Sequence, residues 1–229
     1  MDLYGEKSRS TAQKLTVTLL EAIVLAASAL VMFWPTASSW AASIGWMLPQ
    51  GVPARRYLIL GFSVVTLGRM AFTMFYLMKR RMPWSEAFTV PFAFAIYYLG
   101  FALLVLPSDA PLGLWDALAI GLFLLGGGFN TGGELLRDRF KKDPANKGKL
   151  YTGGPFALAM HINFFGDILW VSAYAIVAHT IWAWLIPLFI LSFFAIYNVP
   201  MLDRHLATHY GEQFERYRAR TKRLIPFVW

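Results

Sequence analysis

The sequence predicts an all-α fold, a polytopic membrane bundle of about six transmembrane helices with a cytosolic amphipathic C-terminal tail. Of the 229 residues, 57% are hydrophobic and only 15% are charged, whereas soluble domains have about 25% charged residues. Several uninterrupted apolar runs reach the roughly 20 residues that cross a bilayer as a helix. Together these observations indicate an integral membrane protein.

Six apolar segments are predicted to span the membrane. The stretch between the first two is broken by Pro and Gly, but its Trp40 and Trp46 favour the membrane interface. Pro91 lies inside the third segment, where neighbouring helices can satisfy the carbonyl that it frees. The first run is too long for the core of a signal peptide, so we expect none. The segments are 15–34, 57–78, 87–106, 112–130, 160–178 and 181–198.

A charged amphipathic tail follows the sixth segment. Its apolar and aromatic side chains recur at helical spacing, and it ends in the apolar sequence LIPFVW. Such a tail can lie on the membrane surface, or it can fold back over the loop at 131–149. The sequence leaves both arrangements open.

The basic residues predict the orientation of the bundle. Eighteen of the 21 Lys and Arg residues flank the six segments on one side, which the positive-inside rule assigns to the cytosol together with both termini. This placement and the lipid headgroups account for the net charge of +8, so we expect no nucleic-acid partner. Arg55 and Arg56 fall on the opposite side, and Arg69 lies within a span, where an unpaired cation is costly. Glu21, Glu86 or a cofactor are candidate partners for Arg69.

Two kinds of chemistry are excluded or disfavoured by composition. The chain has no cysteine, which excludes disulfides, thiolate catalysis and cysteine-ligated metals. Its four histidines do not have the spacing of a ligand set, so we predict no metal site; they are His161, His179, His205 and His209.

Polar residues cluster where the fourth segment ends, in GGGFNTGGELLRDRF at 126–140. Asn130 and Glu134 are four residues apart and share a helical face, with Arg137 one turn further. The glycines serve either close helix packing or close approach of the backbone to a ligand. They are not a Rossmann fingerprint, because no strand precedes them and the spacing is wrong.

A second polar pair lies in KLYTGGPFALAMHINFFGDILW at 149–170. Asn163 and Asp167 are again four residues apart, and His161 precedes them at the helix end. Interhelical hydrogen bonds, worth about 1 kcal/mol each in membranes, are enough to explain Asn163. An Asp within a span instead favours a ligand or a buried pair. With the nearby cations, this set suits a phosphorylated cytosolic cofactor beside a lipid-soluble substrate.

These residues resemble the signature of the steroid 5-alpha-reductase and sterol reductase superfamily. Its Gly-Gly pair is followed by Asn, an aromatic residue, any residue, Gly and an acidic residue. Here that pattern is Gly153, Gly154, Asn163, Phe164, Gly166 and Asp167. Asn130 and Glu134 match an upstream Asn-x-x-x-acidic pair, and FERYRARTKRLIPFVW and YLMKRRMP are similar to the family's ending and to its basic turn. The resemblance covers roughly residues 57–229. The superfamily includes a bacterial branch.

The resemblance implies an NADPH-dependent oxidoreductase that reduces a carbon–carbon double bond in a lipophilic steroid, sterol or isoprenoid-like enone. Residues 1–125 would form the substrate cavity, and 126–229 the cofactor-binding region. Four residues that match the family's pattern less closely would face the phosphates or ribose of the cofactor: Arg80, Lys149, Arg204 and His209. The cofactor would be held by Asn130, Glu134, Arg137, Asn163, Asp167 and Tyr210.

An enone also needs a hydrogen-bond or proton donor at its carbonyl oxygen, where negative charge develops. The resemblance implies a Glu and a Tyr on early helices. Glu21 is the only carboxylate of the first segment, and an ionised carboxylate is costly in lipid. The expected Tyr position falls near Gly68 and Arg69, so Tyr97 and Tyr98 are the candidate substitutes.

Two other functions compete with this one. A membrane S-adenosylmethionine-dependent methyltransferase of the isoprenylcysteine or phospholipid type shares the C-terminal helical hairpin. That group shows Arg-His-Pro where this chain has Met160-His161-Ile162, and the Asn163 and Asp167 pair favours the reductase. A transporter or a non-catalytic lipid-binding protein is the second rival, but transporters show repeats and broken helices in both halves. We expect membrane lipids and a lipophilic substrate as partners, in a bacterial inner membrane or, in a eukaryote, the endoplasmic reticulum.

Overall fold

The structure, a computed structural model, describes residues 8–34, 37–49 and 53–229. Over these residues the chain is helical and no strand is formed; the isolated bridge residues include the parallel pair Ala159 and Lys222. The predicted all-α class is therefore confirmed. The helices are α1 (Thr11–Phe33), α2 (Ala37–Ser43), α3 (Ala54–Phe72), α4 (Trp84–Ala95), α5 (Phe101–Val105), α6 (Leu114–Gly127), α7 (Gly133–Lys142), α8 (Ile162–Ala178), α9 (Leu185–Phe193), α10 (Val199–Tyr210) and α11 (Glu212–Arg218).

Single π-helical turns extend or join several of these helices, so that they run on without a break. One follows α3, and the others join α4 to α5, α6 to α7 and α9 to α10. A π turn inserts one extra residue into a helix and often lies at a functional site. The four turns are Thr73–Leu77, Ile96–Gly100, Gly128–Gly132 and Phe194–Asn198.

Five continuous helices in the described part of the chain are long and apolar enough to cross a membrane. They agree with five of the six predicted segments, and they are Thr11–Phe33, Ala54–Leu77, Trp84–Val105, Leu114–Lys142 and Ile181–Tyr210. The remaining segment forms α8, which has only 17 residues. At 1.5 Å per residue it is about 26 Å long, somewhat less than the roughly 30 Å hydrocarbon layer.

Two helices extend beyond the predicted spans. The apolar runs end near residues 130 and 198, but the helices continue to Lys142 and Tyr210. The π turns preserve helical hydrogen bonding, and neither turn contains a proline to interrupt it. Between the first two spans, the stretch predicted to lie at the interface contains the short helix α2.

The helices form two compact units. The first contains the described residues up to Ala119, together with Tyr174–Ile186; the second contains Ile120–Ala173 and Pro187–Trp229. In the first unit α1 packs along α4 and α3, and Val17, Met74, Met82 and Ala87 form a buried apolar cluster.

Arg55, at the start of α3, forms an extensive set of hydrogen bonds in the first unit. Its guanidinium forms a two-pronged ion pair with Asp116, with N···O distances of 2.7 and 2.9 Å. It also donates to the backbone carbonyls of Ala110, Pro111 and Val177 at 2.9–3.0 Å. An arginine has five N–H donors, and all five are used here. Arg55 therefore ties together the starts of α3 and α6 and the end of α8.

Arg56 has a related role one residue later. It is 4% exposed and donates to the carbonyls of Met32 and Leu106, at the C-terminal ends of α1 and α5. Carbonyls at helix ends lack partners within their own helix, so a cation there is favourable. From the sequence, Arg55 and Arg56 contributed only to the predicted orientation of the bundle. In the structure, both side chains join helix ends.

The C-terminal tail folds back onto the segment before α8 in the second unit. The backbone amides of Met160 and His161 donate to the carbonyls of Lys222 and Arg223 at 2.8 Å. The buried hydroxyl of Tyr217 donates to the carbonyl of Phe156, and burial raises the pKa of this hydroxyl. The tail is thus folded back against residues 148–161. Its position on the membrane surface stays a prediction.

We predict that Asp116→Ala destabilises the protein by about 3–5 kcal/mol, because it leaves the Arg55 charge buried without a counter-charge. Thermal unfolding of the detergent-purified protein measures this effect. Asp109→Ala, at an exposed position nearby, is the matched control and should unfold like the wild type. Equal melting temperatures for the two variants would contradict the role given to Arg55.

Candidate functional site

Two glycines set the distance between α6 and α8 in the second unit. A Cβ on Gly126 would lie 2.5 Å from the carbonyl oxygen of Gly166, and a Cβ on Gly166 would lie 2.6 Å from that of Gly126. Real Cβ atoms do not approach so closely, so only glycine fits at this crossing. Gly128 and Gly132 differ, since a Cβ on either would meet nothing within 4 Å. Close packing therefore accounts for Gly126 and Gly166.

This close contact brings the two predicted polar pairs together. Asn130 donates through Nδ2 to Asp167 Oδ1 at 2.8 Å and to the carbonyl oxygen of Asn163 at 3.4 Å. Asn163 in turn donates through Nδ2 to Glu134 Oε1 at 3.2 Å. Four residues singled out in the sequence thus form one hydrogen-bonded network, named here the polar network.

Arg137 and Trp170 flank the polar network at its two ends. Arg137 forms an ion pair with Glu134, and its guanidinium lies 5.9 Å from the centre of the Phe156 ring. Trp170 donates through Nε1 to Asp167 Oδ1 at 2.8 Å. Trp170 was not predicted from the sequence, although its position three residues after Asp167 places the two on one helical face.

The polar network keeps some hydrogen-bonding capacity. Glu134 and Arg137 are part-exposed, with 22% and 34% of their side-chain surface accessible. Asn163 Oδ1 accepts no hydrogen bond from any described residue. Asp167 is therefore the fixed part of the network. Asn163 Oδ1, Glu134 and the cationic Arg137 can contact another molecule.

The remaining predicted cofactor residues of the second unit lie elsewhere. Lys149, Arg204 and His209 are exposed, and among the described residues none of them has a hydrogen bond or ion pair to the polar network. His209 contacts the rings of His205 and Tyr210. Tyr210 packs against the buried cluster formed by Met160, Phe214 and Tyr217.

His161 is a buried structural residue rather than a simple polar helix end. Its Nε2 lies 2.8 Å from Asp203 Oδ1, and Arg223 Nε lies 3.4 Å from Asp203 Oδ2. Asp203 thus joins the start of α8 to the tail, a role that the sequence analysis missed. Across the described residues, no group of three or more His, Cys, Asp or Glu side chains could hold a metal ion.

In the first unit, the carboxylates considered as partners for Arg69 have other neighbours. Glu86 forms a two-pronged ion pair with Arg80, with N···O distances of 2.7 and 3.2 Å. Glu21 receives a hydrogen bond from the hydroxyl of Tyr98, at 3.5 Å from its Oε2. Arg80, a predicted phosphate contact, is therefore already paired with a carboxylate.

Glu21 and Tyr98 are both completely buried. The second carboxyl oxygen of Glu21, Oε1, is buried without a hydrogen-bond partner among the described residues. Of the two candidate tyrosines, Tyr98 is the one whose hydroxyl reaches Glu21, while Tyr97 lies edge-on against Phe94. A carboxyl group with one open oxygen beside a tyrosine can donate to, or accept from, a polar atom of an otherwise apolar molecule.

Several known proteins are similar to parts of this chain. A family model described as "Protein of unknown function (DUF1295)" matches residues 77–221, more than half of the chain. Delta(14)-sterol reductase erg24 of Schizosaccharomyces pombe is 32% identical over 168 residues, which cover 61% of this chain and 36% of that protein. The 3-oxo-5-alpha-steroid 4-dehydrogenase 2 of Sus scrofa is 28% identical over 113 residues, covering 49% of this chain and 42% of that protein.

A third relative belongs to another class of enzyme. The "Probable O-methyltransferase ustE" of Ustilaginoidea virens is 40% identical over 73 residues, covering 31% of this chain and 26% of that protein. The chain thus spans less than half the length of each of these three relatives.

We predict that Gly166→Ala destabilises the protein by about 1–3 kcal/mol, the usual cost of overpacking, and displaces Asp167 from Asn130. Gly128→Ala is the matched control, because its added methyl group meets no neighbour. Thermal unfolding of both variants measures the difference. The close contact would be disproved if Gly166→Ala were as stable as Gly128→Ala.

Proposed function

Since the chain belongs to the DUF1295 family and is similar in part to steroid and sterol reductases, we propose that it is a membrane-embedded, NADPH-dependent reductase. Its substrate would be a lipophilic enone of the steroid, sterol or isoprenoid class, reduced at the carbon–carbon double bond. The observation that carries the proposal is the polar network, which joins the Asn130–Glu134 and Asn163–Asp167 pairs.

The chemistry of the polar network fits a phosphorylated dinucleotide. Carboxylate and amide groups suit the ribose hydroxyls and the carboxamide of a nicotinamide, and the part-exposed Arg137 suits a phosphate. Basic residues at 139–149, from the last turn of α7 onward, supply further cations. When bound, NADPH supplies the hydride, while the protein supplies position and electrostatics. In this proposal the network residues hold the cofactor, and the looser matches Arg80, Lys149, Arg204 and His209 remain candidates only.

The internal bonds of the polar network would keep its groups in place before any ligand binds. Asp167 is held from two sides, by Asn130 and by the Trp170 indole. Side chains fixed in this way lose little entropy on binding and keep a reactive group precisely oriented. Asn163 Oδ1 and the Glu134–Arg137 pair would make the direct contacts, and Asp167 would act mainly by positioning Asn130.

Glu21 and Tyr98 are proposed to bind the carbonyl oxygen of the substrate. Glu21 accepts a hydrogen bond from Tyr98, and no ion pair joins it to a cation of the described residues. A carboxyl group buried in this way is favoured in its neutral form. A neutral carboxyl group and a phenol can both donate to an oxygen on which negative charge develops during reduction. Residues 1–125 would thus provide the substrate-binding groups, and 126–229 the cofactor-binding groups.

The proposal also includes a location and an orientation. The protein is an integral membrane protein with five helices of membrane-crossing length in the described part of the chain. We propose the bacterial inner membrane, or the endoplasmic reticulum in a eukaryote, with both termini cytosolic. This orientation would give the polar network access to cytosolic NADPH.

A membrane methyltransferase remains the second candidate, because a probable O-methyltransferase is 40% identical over 73 residues. That similarity extends over less of this chain than the similarity to the sterol reductase. It also leaves the buried Glu21–Tyr98 pair without a role. The cofactor that the protein binds distinguishes the two candidates.

We predict that the detergent-purified protein binds NADPH more tightly than NADH or S-adenosylmethionine. Asn163→Ala and Asp167→Leu should each weaken NADPH binding by about tenfold or more, equivalent to about 1.4 kcal/mol, because each removes part of the polar network. Isothermal titration calorimetry measures the affinities. Asn198→Ala and Asp109→Leu are matched controls outside the network.

The result could overturn the proposal in two ways. Binding of S-adenosylmethionine in place of NADPH would assign the protein to the methyltransferases. NADPH binding that survives both Asn163→Ala and Asp167→Leu would place the cofactor at another site.

We predict that Glu21→Leu lowers the rate of enone reduction about 10²–10³-fold, the effect of removing one donor from a developing oxyanion, without changing NADPH affinity. Glu21→Gln should recover part of the rate, because its amide can still donate a hydrogen bond. Steady-state oxidation of NADPH with a steroid enone measures kcat and KM. Glu212→Leu, at an exposed position on α11, is the control, and equal activity in Glu21→Leu and Glu212→Leu would remove Glu21 from the mechanism.

A further inference from the structure

A basic cavity of about 550 Å³ lies in the first unit, where α1 begins and the π turn after α3 ends. Its lining includes the cationic side chains of Arg9, Lys14 and Lys79 and the rings of Phe75 and Tyr76. No Asp or Glu is among the described residues that line it. The cavity thus combines positive charge with aromatic surface.

Lys14 is the group that most needs an explanation. It is only 4% exposed, although it belongs to a helix of membrane-crossing length. Its ammonium donates one hydrogen bond, to the carbonyl of Met78 at 2.6 Å, and it has two further N–H donors. No ion pair joins Lys14 to a carboxylate of the described residues, and Glu86 of α4 is paired with Arg80. A buried charge for which the described residues supply no counter-charge is costly, so we expect an anion beside Lys14.

The position of the cavity indicates where that anion comes from. The cavity lies beside the first residues of the Thr11–Phe33 helix and the last residues of the Ala54–Leu77 helix. The ends of helices that cross a bilayer lie at the depth of the lipid headgroups. Phe75 and Tyr76 are each about half exposed, and aromatic side chains are favoured at this depth.

We propose that this cavity binds the phosphate of an anionic membrane lipid, with Lys14 as the buried phosphate contact. Arg9 and Lys79 add positive charge at the cavity wall, and Phe75 and Tyr76 contact the glycerol and acyl portion. Basic residues beside a membrane attract anionic lipids, and a phosphate accepts several charge-assisted hydrogen bonds at once. The assignment does not depend on the proposed reductase activity, because none of these residues belongs to the polar network or to the Glu21–Tyr98 pair.

The test compares the full-length protein in nanodiscs of phosphatidylcholine alone and of phosphatidylcholine mixed with phosphatidylglycerol. We expect the melting temperature to be higher in the mixture and native mass spectrometry to detect retained phosphatidylglycerol. Lys14→Met should retain this lipid about fivefold less, the effect expected for one basic residue near an anionic surface. Lys14→Arg should keep the preference. Lys147→Met, at an exposed lysine of the second unit, is the matched control and should behave like the wild type.

Three outcomes would overturn the proposal. The first is equal retention of phosphatidylglycerol by Lys14→Met and Lys147→Met. The second is a change in melting temperature for Lys14→Met that is the same with and without phosphatidylglycerol, which would mean that the lysine is neutralised within the chain. The third is stabilisation by inorganic phosphate or NADPH, in phosphatidylcholine alone, that Lys14→Met abolishes; the site would then bind a soluble phosphate.

Discussion

A polar side chain in a membrane helix must find its partners within the protein, because lipid tails offer none. This constraint applies to the buried ion pairs of both units. Arg55 satisfies it completely, since all five of its N–H donors are used by Asp116 and by three backbone carbonyls. The loops and helix ends that supply those carbonyls are held in place as a consequence.

The same constraint distinguishes structural polar groups from candidate functional ones. Arg55 and His161 are buried, and each has a carboxylate partner. Glu21 keeps one buried oxygen without a partner among the described residues, and Lys14 has no described counter-charge. Because unsatisfied groups are costly in an apolar interior, their retention is best explained by a ligand. The substrate site and the lipid site proposed above both start from such a group.

Helix irregularities lie at the same places as the candidate site residues. Tyr98 belongs to the π turn Ile96–Gly100, and Asn130 belongs to the π turn Gly128–Gly132. The extra residue of a π turn rotates the side chains that follow it relative to a regular α-helix. In the second unit, the turn follows directly after the Gly126–Gly166 contact, so that close packing and the altered rotation together aim Asn130 at Asp167.

The sequence by itself determined the features that depend on neighbouring residues. Apolar length predicts five of the spans, and helical periodicity places Asn130 with Glu134 and Asn163 with Asp167, because both properties are local. Only the tertiary structure decided the pairings. Three of these pairs join residues that are 42 to 77 positions apart in the sequence: Arg55 with Asp116, His161 with Asp203, and Tyr98 with Glu21. The structure also selected Tyr98 over Tyr97 as the partner of Glu21. Such pairs depend on which helices touch and on how each is rotated, and a single π turn or a glycine contact changes that rotation without changing the apolar pattern.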